Sequence, residues 1–128
     1  TEFGVVTKEA TAVNQEAESS REERLQQLID AGYTSVVAVG FAYAPAVKKI
    51  AVANPDAKIA LIDSTDAAGP NIESLTFAEN EGSFLVGAAA ALQSKTGNIG
   101  LIGGVHTDLI KEFEPGHTAH AKQVNLAL

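Results

Sequence analysis

Two short apolar runs in this sequence each end on residues able to contact a ligand. Asp63 follows Lys58-Ile-Ala-Leu-Ile62 and is itself followed by Ser64; Gly40-Phe41 follows Ser35-Val-Val-Ala-Val39. A carboxylate at the end of a strand can accept two hydrogen bonds from hydroxyls or amines of a ligand. It can equally cap the turn that comes next. Phe41 can stack on a flat ring or pack beneath the following helix, and Gly40 supplies a permissive backbone beside it. A third run, Asn98-Ile-Gly-Leu-Ile102, leads into Gly103-Gly104-Val105-His106, and Phe3-Gly-Val-Val-Thr7 leads into Lys8. In an open parallel sheet, ligands bind beyond the carboxyl ends of the strands, which selects these four places.

Other chemistry lacks its parts. A phosphoacceptor role for Asp63 needs acidic metal-binding partners on another strand end, and none is visible. Gly97-Asn-Ile-Gly-Leu-Ile-Gly-Gly104 fits neither of the glycine-rich phosphate-loop spacings, so its glycines are expected at tight turns and close packing. His117 and His120 lie three apart and can share one helix face, but a third metal ligand is not evident, and a solvated face is expected. There is no cysteine, no Gly-x-Ser-x-Gly elbow and no His-Glu-x-x-His. The expectation is a non-catalytic chain with no metal and no cofactor. The glutamates from Glu16 to Glu23 read as a solvated helix start.

The elements that must position these residues alternate. The four apolar runs are mostly β-branched and near-continuous, which suits strands covered on both faces. Ile72-Glu-Ser-Leu-Thr-Phe77 alternates and reads as a strand with one wetter face. Ser20-Arg-Glu-Glu23 has the pattern of a capping box, followed by a stripe of Leu25, Leu28 and Ile29 that Gly32 ends. Pro45 suits a first helical turn, with Val47, Ile50 and Ala51 as the buried face and Asn54-Pro55 as the stop. Thr76 with Glu79 suggests a cap for a helix to about Lys95, in which Phe84, Ala88, Ala91 and Leu92 pack and Gly82 and Gly87 admit a close neighbour. A last helix is expected from about Asp108, with Leu109, Ile110 and Phe113 apolar. Strands alternating with helices imply right-handed crossovers and a mostly parallel sheet: an α/β fold.

Composition sets the outer limits. The 128 residues, 45% hydrophobic and 20% charged, are ordinary for a globular chain, and nine Lys plus Arg against 16 Asp plus Glu give a net charge of −7. So acidic a balance argues against sequence-independent binding of nucleic acid, which needs a basic footprint. No apolar run reaches the roughly 18 to 20 residues that span a bilayer.

Five blocks in order carry a family resemblance: Asp30-Ala-Gly-Tyr-Thr-Ser-Val-Val-Ala-Val-Gly-Phe41, Ala53-Asn-Pro-Asp-Ala-Lys-Ile-Ala-Leu-Ile-Asp63, Ser74-Leu-Thr-Phe-Ala-Glu-Asn-Glu-Gly-Ser-Phe-Leu-Val-Gly87, Ser94-Lys-Thr-Gly-Asn-Ile-Gly-Leu-Ile-Gly-Gly104 and Leu109-Ile-Lys-Glu-Phe113. Together they resemble the basic membrane protein family of bacterial lipoproteins, the purine-nucleoside-receptor type of substrate-binding protein for ABC transporters. The resemblance implies a type I periplasmic-binding-protein fold, two α/β lobes that close over a nucleoside. On that alignment residues 1–78 belong to the first lobe, without its first strand and helix, and residues 79–128 are a crossover helix and the start of the second lobe. Gly40 and Phe41 match the family's Gly-Phe loop, Asp63 with Ser64 its acidic position after a strand, and Gly104 to His106 a loop of the second lobe. The end departs from the pattern: Pro115 stands inside the last expected helix, where it should kink or end it, and His117 and His120 replace an aromatic and a small residue.

The resemblance implies a small-molecule nucleoside as ligand and a membrane permease as partner. It also implies an extracytoplasmic, cell-membrane-anchored location, through a lipid anchor outside these residues. A flavodoxin-like nucleotide-binding or enzymatic domain is the alternative from another class. A truncated lobe that self-associates through an open strand position and binds nothing alone is the third.

Overall fold

The computed structural model describes residues 3–125, which form two compact units meeting between Thr76 and Phe77. The first unit holds helix α1 (Glu18–Asp30), strand β1 (Ser35–Val39), a 3-10 turn (Phe41–Tyr43), helix α2 (Ala44–Ala53), and strands β2 (Lys58–Ile62) and β3 (Ile72–Leu75). The strands make a parallel sheet in the order β1-β2-β3, with Val36 beside Ile59 and Ile59 beside Ile72. This is the α/β fold, a parallel sheet flanked by helices.

Period-two side-chain alternation puts Val36, Ala38, Ile59 and Leu61 on one sheet face, where they form a single core with Leu25 of α1 and Ala46, Val47, Ile50 and Ala51 of α2. Both helices of this unit therefore cover the same face. Val37 and Val39, on the other, are 63% and 66% exposed, so the expectation that β1 is covered on both sides does not hold.

Local chemistry ends the helices. Gly32, at φ +89°, lets its own N–H reach Ile29 O while the Tyr33 N–H reaches Leu28 O, a Schellman closure of α1. Pro45 occupies the first turn of α2, and the Asn54 side-chain amide donates to Ile50 O at its end. Asn71, itself buried, extends its side-chain amide to the carbonyls of Ala51, Asn54 and Ala57 at 3.1, 3.1 and 2.9 Å. That one group ties the end of α2 to the starts of β2 and β3.

The start of α1 differs from expectation. The helix begins at Glu18 with Ala17 at its N-cap, so Ser20 lies inside it and no capping box forms. The N-cap thus lies three residues earlier than Ser20, and Glu16, just ahead of the helix, is gripped by Arg21 and Arg24. Phe3 to Thr7 is irregular and Phe3 is 86% exposed, not a strand. A β-branched run becomes a strand only where a neighbour completes its ladder, and this segment joins no sheet among the described residues.

The second unit pairs helix α3 (Glu79–Gln93) with helix α4 (Asp108–Asn125). Gly87 and Gly116 make their contact close: a methyl group at either would collide with the backbone carbonyl of His117 or of Asn80. Gly82, expected to share that role, faces open space. Leu92, expected to pack, is 67% exposed, because α3 has one helical neighbour and is apolar on more than one side. Ala78, not Thr76, is the N-cap of α3. Asn98–Ile102 is irregular, with Ile102 fully exposed, since this unit supplies no partner strand among the described residues.

Helix α4 runs through Pro115 without ending there. An interior proline costs about 3 kcal/mol. Contacts with α3 on both sides of it offset that cost: the Ser83 hydroxyl donates to Phe113 O at 2.5 Å, and His117 and Ala121 are buried. The expected solvated histidine face is likewise absent. His117 is only 7% exposed, and the His120 ring stacks on Phe84 with centroids 3.8 Å apart.

Candidate functional site

The carboxyl edge of the sheet in the first unit brings four of the expected site residues together. Register pairs Val39 with Ile62, so Gly40-Phe41 and Asp63-Ser64 leave neighbouring strands at the same level. The Gly40 N–H donates to Ile62 O at 3.1 Å, and the Asp63 N–H to Leu75 O at 2.9 Å. Each edge residue is thus hung from the strand beside it.

Gly40 adopts φ +106°, a conformation that side chains disfavour, and turns the chain sharply out of β1. Phe41 then opens the 3-10 turn with 36% of its surface exposed, leaving ring area for stacking. Asp63 adopts φ +67°, one of two non-glycine residues with positive φ among those described. A left-handed aspartate costs energy that the surrounding structure must impose. Its half-buried carboxylate accepts no hydrogen bond from any described residue, so it does not cap the following turn. Ser64 caps it instead: this residue is buried, and its Oγ accepts the Asp66 N–H at 3.1 Å. Its hydroxyl oxygen is thereby engaged locally.

Gly104 and His106 belong to the second unit. There the turn after Gly97 and the facing side of α4 enclose a cavity of about 640 Å³. Gly103, Val105 and His106 line it, together with Lys111, Glu114 and His117 of α4, whereas Gly104 stands outside the lining. Beside it, the Lys111 ammonium hydrogen-bonds Asp108 at 2.7 Å and holds that carboxyl below the usual aspartate range. Among the described residues no group of three or more His, Asp or Glu side chains could hold a metal ion.

One cluster near the edge had no sequence signal beyond an excess of charge. The Arg24 guanidinium forms a fork on Glu16, Nη1 to Oε1 at 2.7 Å and Nη2 to Oε2 at 2.5 Å, and Nη1 also donates to the Tyr43 hydroxyl at 2.8 Å. The Val13 N–H donates to Glu16 Oε2 at 3.0 Å. Hydrogen bonds from Arg24, then from Val13, hold the Glu16 carboxyl down from 4.5 to about 2. The Glu16 hydrogen bond raises Arg24 in turn. Glu16 is therefore a buried anchor, not part of a solvated helix start; its side chain is 5% exposed. Arg24 reaches residues 8 and 19 positions away, which local patterns do not report.

The first unit is thus an α/β lobe whose parallel sheet carries an unengaged carboxylate and a partly exposed aromatic residue at its carboxyl edge, the edge where open α/β sheets take ligands. The chain belongs to the Bmp family, described as "ABC transporter substrate-binding protein PnrA-like", whose model matches residues 1–128. It is 41% identical over 93 residues to the "ABC transporter nucleoside-binding protein BmpA" of Lactococcus lactis subsp. cremoris, covering 73% of this chain and 26% of that protein. It is 39% identical over 104 residues to "Basic membrane protein A" of Borreliella burgdorferi, covering 79% and 31%. Its fold is similar to a solved ABC transporter solute-binding protein from Aeropyrum pernix K1, with a TM-score of 0.70 and 28% identity over 87% of this chain and 33% of that one. The chain thus spans about a quarter to a third of the length of these relatives. No helix among the described residues is long and apolar enough to cross a membrane.

Proposed function

We propose that this chain is the ligand-contacting part of an extracytoplasmic solute-binding lipoprotein that captures nucleosides, purine nucleosides first, for uptake through an ABC permease. The observation that carries the reading is Asp63: a half-buried, left-handed aspartate whose carboxylate no described residue engages, one strand away from the exposed Phe41 ring. Phe41 offers a face for the base, and Asp63 offers acceptors for the ribose hydroxyls. Gly104 and His106, in the loop that resembles one of the family's second lobe, are assigned as further ligand contacts. Binding of this kind needs pre-placed polar groups and no reacting side chain, so no catalysis is assigned. The name of the Lactococcus lactis relative, a nucleoside-binding protein, supports the ligand class. The permease and a lipid anchor outside these residues complete the transport role.

Titration calorimetry with inosine, guanosine and adenosine tests it. Saturable heat is expected. Asp63→Asn, which keeps a side chain tolerant of positive φ but removes the charge, should weaken binding by roughly 10- to 100-fold, the worth of a hydrogen bond to an ionised group. A folded chain that gives no heat with any of the three, or an Asp63→Asn chain that binds as tightly, would remove the claim for these residues.

A further inference from the structure

The turn that presents Phe41 is three residues long and leads directly into α2. It contains two i to i+3 backbone bonds, from the Tyr43 N–H to Gly40 O at 3.1 Å and from the Ala44 N–H to Phe41 O, and such turns are weak when isolated. Ala42 is exposed and Phe41 leaves 36% of its surface open, so neither is fully enclosed. The turn is fixed at its far end instead, where the Tyr43 ring enters the core and its hydroxyl meets Arg24. Arg24 cannot follow a moving tyrosine, because both terminal nitrogens of its guanidinium are already forked on Glu16. Glu16 is in turn fixed by the Val13 N–H and by Arg21, whose Nε lies 3.6 Å away.

We propose that Arg24 is a positioning residue for the ligand edge: held by Glu16, it locks the Tyr43 hydroxyl and so fixes the Gly40–Tyr43 turn with Phe41 facing outward. This rests on the reading of Phe41 as a ligand contact. Arg24 touches no ligand itself; it acts through Tyr43. Two features separate this role from mere helix anchoring. Glu16 already ties Arg24 to the start of α1 without Tyr43, and the hydroxyl bond spans 19 residues to reach the one element that carries Phe41. A planar, bidentate guanidinium also holds direction as well as distance, which an ammonium does not.

The test uses Tyr43→Phe, which removes only the hydroxyl, and Arg24→Lys, which keeps the charge but loses the fork. Glu22→Gln, which breaks the surface pair of Glu22 with Lys49 between α1 and α2, serves as control. Two quantities are read: amide hydrogen exchange at Tyr43 and Ala44, the bonded amides of the turn, against the β1–β2 ladder, and guanosine affinity by calorimetry. In Tyr43→Phe and Arg24→Lys, exchange in the turn should rise about tenfold and affinity fall about three- to tenfold, the scale of one lost hydrogen bond. The ladder amides and the control should not change. Unaltered turn exchange in Tyr43→Phe would overturn the lock. Faster turn exchange with unaltered affinity would overturn its role in binding. If the wild-type chain binds no nucleoside, the site reading fails and the affinity claim with it, while the exchange result still decides whether Arg24 fixes the turn.

Discussion

Replacing Asn71 by Leu should cost the first unit far more than its position at the mouth of a short strand suggests. The side-chain amide reaches three carbonyls, those of Ala51, Asn54 and Ala57, from a residue that is 8% exposed. Its two hydrogens give net bonds of about 1 kcal/mol each, and leaving buried carbonyls without a donor costs about 1–3 kcal/mol more. Leu is close in volume, so the cavity contribution is small and the loss is dominated by polar groups. The expected destabilisation is about 2–4 kcal/mol. The assay is selective, because the chain has no Trp and its two Tyr, Tyr33 and Tyr43, both lie in the first unit. Urea unfolding followed by tyrosine fluorescence therefore reports that unit alone, and at a slope of about 1 kcal/mol per molar the midpoint should fall by roughly 2 M or more. Asn71→Asp sharpens the result. It keeps the shape but points a carboxylate oxygen at carbonyl oxygens, so at neutral pH it should be at least as damaging as Leu. Its acid pKa is then raised in the folded state, and the penalty should ease as pH falls and the carboxyl gains a proton to donate. A shift below about 1 kcal/mol in Asn71→Leu, or a wild-type midpoint for Asn71→Asp at pH 7, would refute the claim that this amide staples α2 to the sheet.

Two further outcomes follow from packing and charge. Glu16 has a folded pKa of about 2 against an ordinary 4.5, so its contribution is fully present above about 4.5 and is lost as pH falls towards 2; Glu16→Gln should lose stability at pH 7 and flatten the acid limb of tyrosine-monitored melts across that window. In α3, Gly87→Ala should destabilise the second unit despite alanine's better helix propensity, because the added methyl meets the His117 carbonyl, whereas Gly82→Ala meets nothing and should gain about 0.5–1 kcal/mol; helical circular dichroism melts would show opposite signs.

What could be read from the sequence divides along the range of the interactions. Strands β1 and β2, the C-terminal end of α1 and both ends of α2 were legible because β-branched runs, Gly32, Pro45 and Asn54 act within a few residues. The same β-branched signal misled at Phe3–Thr7 and Asn98–Ile102, since a strand also needs a neighbour and the run cannot say whether one is there. Pro115 was read as a break because propensity weighs only its own helix; the packing of Gly116, His117 and Ala121 against α3 outweighs it. At the site, the strand-end rule found Gly40, Phe41, Asp63 and Ser64 on one edge. It could not divide labour between Asp63 and Ser64, which depends on which oxygen turns towards the Asp66 amide. Arg24 and Tyr43 were invisible because only the fold brings them together.

Hanging Gly40 from β2 and Asp63 from β3 gives the carboxyl edge of the sheet the character of a ruler. The interval between the two positions is one strand spacing, about 4.8 Å, a property of peptide geometry that substitutions cannot stretch. Nor can a strand slide to lengthen it, since a slip of one residue would turn Ile59 and Leu61 out of the core. With the proposed ligand contacts at these stations, selectivity must be adjusted by side-chain reach: a longer acid at 63, a broader ring at 41. Two lobes of this design could share one backbone to within fractions of an ångström and still prefer different cargo.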